Sequence, residues 1–112
     1  MSINSPQNEL NAKMSWKFLG SGIGDKTFYL PSVWDELCVK INSIIDASVH
    51  FIYHLDRAGM YTVLENFRQG SYYNSTYYSE CNLLVSTTQF RFGSLFINGQ
   101  NDANAEIYAY IR

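Results

Sequence analysis

Two histidines four residues apart, His50 and His54, are the first side chains in this sequence that suggest chemistry. On a helix, an HxxxH pair turns both imidazoles to one face and offers two ligands to a metal. Here Phe51, Ile52 and Tyr53 lie between them and Val49 precedes them, all strand formers. On a strand, four residues span about 13 Å, too far for both rings to reach one ion. No third ligand stands nearby in sequence, so no metal is expected, and the pair reads as polar side chains on an exposed or interface face. Gly20, Gly22 and Gly24 suggest a phosphate cradle, but their spacing fits neither GxGxxG nor a P-loop, and strand formers follow them. A tight turn between strands accounts for them. Asp35 and Glu36 are adjacent, and neighbours on a strand point apart, whereas two-carboxylate hydrolysis needs its acids held at a set distance across a cleft. There is no GxSxG, and neither Cys38 nor Cys81 has a catalytic local context. The chain is therefore expected to be no enzyme and to need no cofactor.

The tyrosines of residues 72–78 are more suggestive. Tyr72, Tyr73, Tyr77 and Tyr78 stand among Gly, Ser, Asn and Thr, the composition of an adaptable binding loop that joins rigid aromatic area to short hydrogen-bonding groups. Tyr72, Tyr73, Asn74, Tyr77 and Tyr78 are the candidate ligand-binding residues, with sugar rings stacking on the phenol faces. The competing reading has these tyrosines covering an apolar edge or packing against another subunit.

The elements that would position such a loop are strands. Leu37, Val39 and Ile41 alternate with Cys38, Lys40 and Asn42; Val49, Phe51, Tyr53 and Leu55 alternate with His50, Ile52 and His54. That period of two marks half-buried antiparallel strands. Trp16 and Phe18 open a first strand expected to end at Gly20, and a second covers residues 26–30. Residues 32–36 are expected to make one helical turn with Ser32 as its cap. Residues 60–67 read as a strand, and residues 68–79 as a polar loop or hairpin. Strand material follows at residues 81–88 and 90–97, then the turn dipeptide Asn98-Gly99, then a closing strand at 105–111. The expected fold is all-β, an antiparallel β-sandwich of about eight short strands, with Leu37, Val39, Ile41, Val49, Phe51, Tyr53, Leu83, Val85, Ile107, Ala109 and Ile111 facing the core. Residues 1–14 read as a tail or stalk remnant, and residues 15–112 as one domain.

Composition narrows the function classes. At 112 residues the chain suits a single core. A net charge of -2 argues against a surface that tracks nucleic-acid phosphates. No apolar run approaches the roughly 20 residues of a membrane-spanning helix, so no membrane insertion is expected. The first residues have neither a basic start nor an apolar segment, so a secretory leader is not expected either. Two cysteines are too few for a disulfide framework, and both are expected free. Charged residues make up 16%, below the usual quarter or so, while nine Tyr and seven Phe are many for this length. That balance suggests aromatic surface shared between identical subunits.

Three segments carry a resemblance: WKFLGS at residues 16–21, KTFYLPSVWDELCVKI at 26–41, and EIYAYIR at 106–112. In order, they are a Trp strand, a short apolar strand ending in Leu-Pro, a Trp-x-Glu-Leu element entering a strand, and an aromatic terminal strand closed by Arg. The chain resembles the small C-terminal domains of phage and prophage tail or appendage proteins, which are fibre-like and receptor-binding; NELNAKM fits the segment that joins such a domain to the rest of a tail protein. The resemblance implies a jelly-roll type of sandwich in the virion, made in the host cytoplasm. It also implies a homo-oligomer with a trimer favoured, and assembly with other virion proteins or adhesion to a host-surface glycan. The chain departs from a fibre in having no long stalk. The other reading is a carbohydrate-binding module of a secreted or cell-surface system.

Overall fold

The computed structural model describes residues 15–72 and 77–112. The tail expected over residues 1–14 lies outside the described residues, as do Tyr73 and Asn74. The described chain is all-β, with nine strands: β1 (Lys17–Ile23), β2 (Thr27–Tyr29), β3 (Glu36–Asn42), β4 (His50–Asp56), β5 (Glu65–Tyr72), β6 (Tyr78–Val85), β7 (Gln89–Ile97), β8 (Gln100–Asn101) and β9 (Glu106–Ile111). They form two antiparallel sheets. Sheet A runs β1-β9-β3-β4, and sheet B runs β2-β7-β6-β5 with β8 also on β7. The first two strands pair with the last long ones, β1 with β9 and β2 with β7. The β3–β4 hairpin and the β5-β6-β7 meander complete the sheets.

Alternation decides which side of each strand is buried. Sheet A sends inward Leu37, Val39 and Ile41, Phe51 and Tyr53, and Ile107, Ala109 and Ile111; sheet B sends Cys81, Leu83, Val85, Phe90, Phe92, Leu95 and Ile97. Every position expected in the core is buried. Phe28 stacks on its cross-strand partner Phe90 with ring centroids 4.7 Å apart, joining the short β2 to the core. Tyr53 spans the sandwich: its hydroxyl, on a sheet A strand, lies 2.9 Å from each of the backbone carbonyls of Phe67 and Cys81 in sheet B. Burial raises its pKa, and the thiol of Cys81 is pushed up to about 12 by the same cause. Both cysteines are free.

Several boundaries differ from expectation for identifiable reasons. The first strand continues past Gly20 to Ile23, because Gly20 and Gly22 are strand residues that leave room for Phe28 and Lys26 folding back over them. The turn is confined to Gly24 and Asp25. Gly24 has φ 65°, and a Cβ there would sit 2.3 Å from the Ala103 carbonyl oxygen. Residues 32–35 make no helical turn. Trp34 is instead buried, and its indole N–H donates to the Thr87 carbonyl at 2.9 Å, which fixes the segment as a strap across the end of the core. The strand expected from residue 60 starts at Glu65, leaving Tyr61 and Val63 exposed in a loop. In exchange, β5 and β6 extend through the polar segment as a hairpin in register to Tyr72 and Tyr78. Gly93 is an extra residue in β7, at a bulge where a Cβ would meet the Asn82 carbonyl oxygen at 2.8 Å.

One loop is pinned by a buried carboxylate. Asp102 Oδ2 accepts from Ser43 Oγ at 2.6 Å and from the Ile44 N–H at 2.9 Å, tying the β8–β9 connection to the β3–β4 turn. Phe90→Ala should cost about 3–5 kcal/mol through its cavity, and Tyr53→Phe about 1–3 kcal/mol by leaving both carbonyls short of a donor. Guanidinium unfolding of both variants measures this; a neutral Tyr53→Phe would show that the hydroxyl bridges nothing of consequence.

Candidate functional site

On the outer face of sheet B, Arg68 pairs with Glu80 at 2.7 Å across β5 and β6 and the Asn82 amide donates to Ser94 Oγ at 3.0 Å, while Tyr29 and Tyr72 stand exposed. On sheet A the same alternation turns out Tyr108 and Tyr110 from β9, Phe18 and Ile23 from β1, Cys38 and Lys40 from β3, and Ile52 and His54 from β4. Phe18 and Ile23 are 61% and 67% exposed and Ile52 is 51% exposed, so the apolar strip is open to solvent.

Register explains how the strip is assembled. One transverse row holds Phe18, Tyr110, Cys38 and His54; the next holds Ser21, Tyr108, Lys40 and Ile52. Phe18 meets Tyr110 edge-on with centroids 5.7 Å apart. Trp16, just before β1, is half-buried by lying along this face. Arg112 Cζ stands 4.2 Å from its ring centroid, and the His54 ring meets it edge-on at 5.4 Å. Between Trp16 and Tyr110 lies an open trough of about 270 Å³, lined also by Cys38 and Lys40. The Lys40 ammonium lies over the Tyr110 ring, 5.4 Å from its centroid.

An ion-pair network holds Trp16 in place. Glu36 Oε2 accepts from Arg112 Nε at 2.5 Å, and Oε1 faces His54 Nε2 at 2.8 Å. The guanidinium first and the imidazole second hold the Glu36 carboxyl below its ordinary range. Burial pushes the Cys38 thiol up, with Lys40 and Arg112 opposing, so it lines the trough as a neutral, small apolar group. Here the structure adds what the HxxxH spacing did not offer: Glu36 and Asp56, on neighbouring strand positions, bring a ligand atom each within 4.8 Å of His54. His50 is not among them. Glu36 already has one oxygen facing His54 and the other taken by Arg112, so these three side chains stand as an ion-pair cluster.

The tyrosine segment lies at the other end of the sandwich. Tyr72 and Tyr78 are cross-strand partners, stacked with centroids 5.8 Å apart, and Tyr72 is 74% exposed. Tyr77 turns the other way and donates its hydroxyl to Asp46 in the β3–β4 turn, where it also packs on the core. That bond lowers the Asp46 pKa, after the larger effect of Ser48. Of the candidate residues, Tyr72 and Tyr78 therefore present a joint aromatic surface, while Tyr77 fastens the hairpin to the opposite sheet. Sequence reading passed over Trp16, Lys40 and Tyr110 as a group because they come from three distant stretches of chain; the outward phase of Tyr108 and Tyr110 was the available signal.

No family model matches this chain, and no curated protein or solved structure matches it.

Because the folded carboxyl of Glu36 has a depressed pKa, its contribution to stability is complete above the ordinary carboxylate range and is lost as pH falls through the depressed value. Glu36→Gln removes that dependence. Thermal melts from about pH 6 to about pH 2 should show the gap between wild type and variant narrowing as the pH drops. A gap that stays constant over the window would mean the network contributes nothing through its charge.

Proposed function

We propose that the chain is a non-catalytic structural module of a phage or prophage virion, a tail or appendage domain that works in assembly or in adhesion to the host surface. The observation that supports this reading is the open aromatic strip on sheet A, where Phe18, Ile23 and Ile52 stand exposed beside Trp16 and Tyr110. An exposed apolar strip of this kind marks a surface meant to be covered. The segment resemblance at residues 16–21, 26–41 and 106–112 supplies the setting, since Trp16, Tyr110 and Arg112 of the strip all belong to it.

Identical subunits, a trimer by preference, would share part of the remaining apolar surface; Tyr29, Val33, Tyr61 and Val63 are exposed as well. The second reading, a carbohydrate-binding module of a cell-surface system, is favoured by the trough itself, since aromatic rings flanking a shallow depression suit a sugar ring.

Location separates the two. An antibody against the purified chain should label phage particles released by the strain that carries the gene, and light scattering at micromolar concentration should give three times the chain mass. Label confined to the cell surface would overturn the virion reading in favour of the second; a monomer would overturn the trimer.

A further inference from the structure

The trough on sheet A has features that a general contact surface does not need. It holds about 270 Å³ and is lined by two aromatic side chains, Trp16 and Tyr110, and a small neutral thiol, Cys38. Its floor lies on β3 and β9, the two inner strands of sheet A, whose backbone groups are paired on both sides. A peptide cannot add as a strand there, because strand addition needs a free sheet edge. Recognition has to come from side chains. The side chains available are aromatic faces and one cation, Lys40, which makes no ion pair among the described residues and is held near the trough only by the Tyr110 ring. Arg112 differs, since its charge is committed to Glu36.

We infer that this trough binds an acidic saccharide, a uronic- or sialic-acid type of unit, with the apolar face of its ring against Trp16 and Tyr110 and its carboxylate on the Lys40 ammonium. The inference rests on the adhesion reading and names the ligand class and the site, which is distinct from the Tyr72–Tyr78 surface. Charge complementarity chooses the ligand. An acidic unit gives the one uncommitted, exposed cation of the trough an ionic partner that a neutral sugar does not offer, and a second copy of this face would set Lys40 against an equally cationic trough. The pre-set geometry favours binding as well: the Glu36–Arg112–Trp16–His54 chain of contacts fixes the indole before any ligand arrives, so little side-chain freedom is lost on binding.

The test uses the full chain and four probes: sialyllactose and a hyaluronan tetrasaccharide against lactose and cellotetraose, followed by amide and indole chemical shifts at millimolar ligand. The acidic sugars should shift the Trp16 indole N–H and the amides of Cys38, Lys40 and Tyr110, with the neutral sugars binding at least about tenfold more weakly, the worth of a charge-assisted hydrogen bond. Lys40→Met, an exposed substitution without a folding cost, should abolish that preference, and Trp16→Ala should abolish binding with the monomer-to-oligomer ratio unchanged. Equal binding of neutral sugars, an unchanged Lys40→Met, or shifts confined to Tyr72 and Tyr78 each overturn the inference. No shift with any of the four probes does so too, while labelling of virions would leave the proposed function standing. A Trp16→Ala variant that changes subunit number shows instead that a second copy covers the trough.

Discussion

The last strand of the chain is bonded on both edges, and both the core and the outer surface depend on it. β9 pairs with β1 along one side and with β3 along the other, so residues 106–111 join the first strand of the domain to the central hairpin of sheet A. Even the terminal residue takes part: the Arg112 carbonyl accepts from the N–H groups of Asp35 and Glu36, and its own N–H donates to the Glu36 carbonyl. Without β9, β1 would have no partner in sheet A. Contacts between residues this distant in sequence carry a large loop-closure cost, which the rest of sheet A has to offset.

A strand so placed has to serve two solvents at once. Ile107, Ala109 and Ile111 fill the interior, while Tyr108, Tyr110 and Arg112 lie outside, where each takes part in the surface built around Trp16 and Lys40. A one-residue slip would exchange the two sets, burying a guanidinium and two phenols and exposing the aliphatic groups. The register that packs the core is therefore the same register that lines up Phe18, Tyr110, Cys38 and His54 across four strands.

Much of this architecture was legible because period-two alternation is a local signal. The runs around Val39, Phe51, Leu83 and Ala109 show it plainly, and the Asn98-Gly99 turn shows its φ angles of 49° and 83° directly from residue type. What escaped was either non-local or ambiguous in its locality. Gly20 and Gly22 look like a turn because a strand rarely tolerates two glycines, and only the folded-back Phe28 and Lys26 explain them. Trp34 looked like part of a helical turn because the Thr87 carbonyl that holds it lies far along the chain. The polar segment at residues 68–79 read as a loop or a hairpin with little core signal, and the inward Cys81, Leu83 and Val85 of the strand that follows decide for the hairpin. The trough is the clearest instance of non-local information: Trp16, the Cys38–Lys40 pair of β3 and Tyr110 come from three separate stretches, and no spacing rule links the three.

An open aromatic strip on a β-sheet invites aggregation, and the distribution of charge on sheet A bears on why this one is tolerable. Charged and polar side chains are set into the strip, not gathered beside it: Lys40 over Tyr110, Arg112 over Trp16, and His54 against the same indole. The Trp16 and Tyr110 rings have a cation or an imidazole against them, which favours wet, polarised contact over dry sheet stacking. The protein thus keeps aromatic area available in water at the expense of some of its few charges. Glu36 is central to that arrangement, because its carboxylate restrains Arg112 and His54 together, and those two hold Trp16. Neutralising one half-exposed carboxyl therefore loosens a ring on another strand, and the shape of the trough follows the charge state of a residue that does not line it.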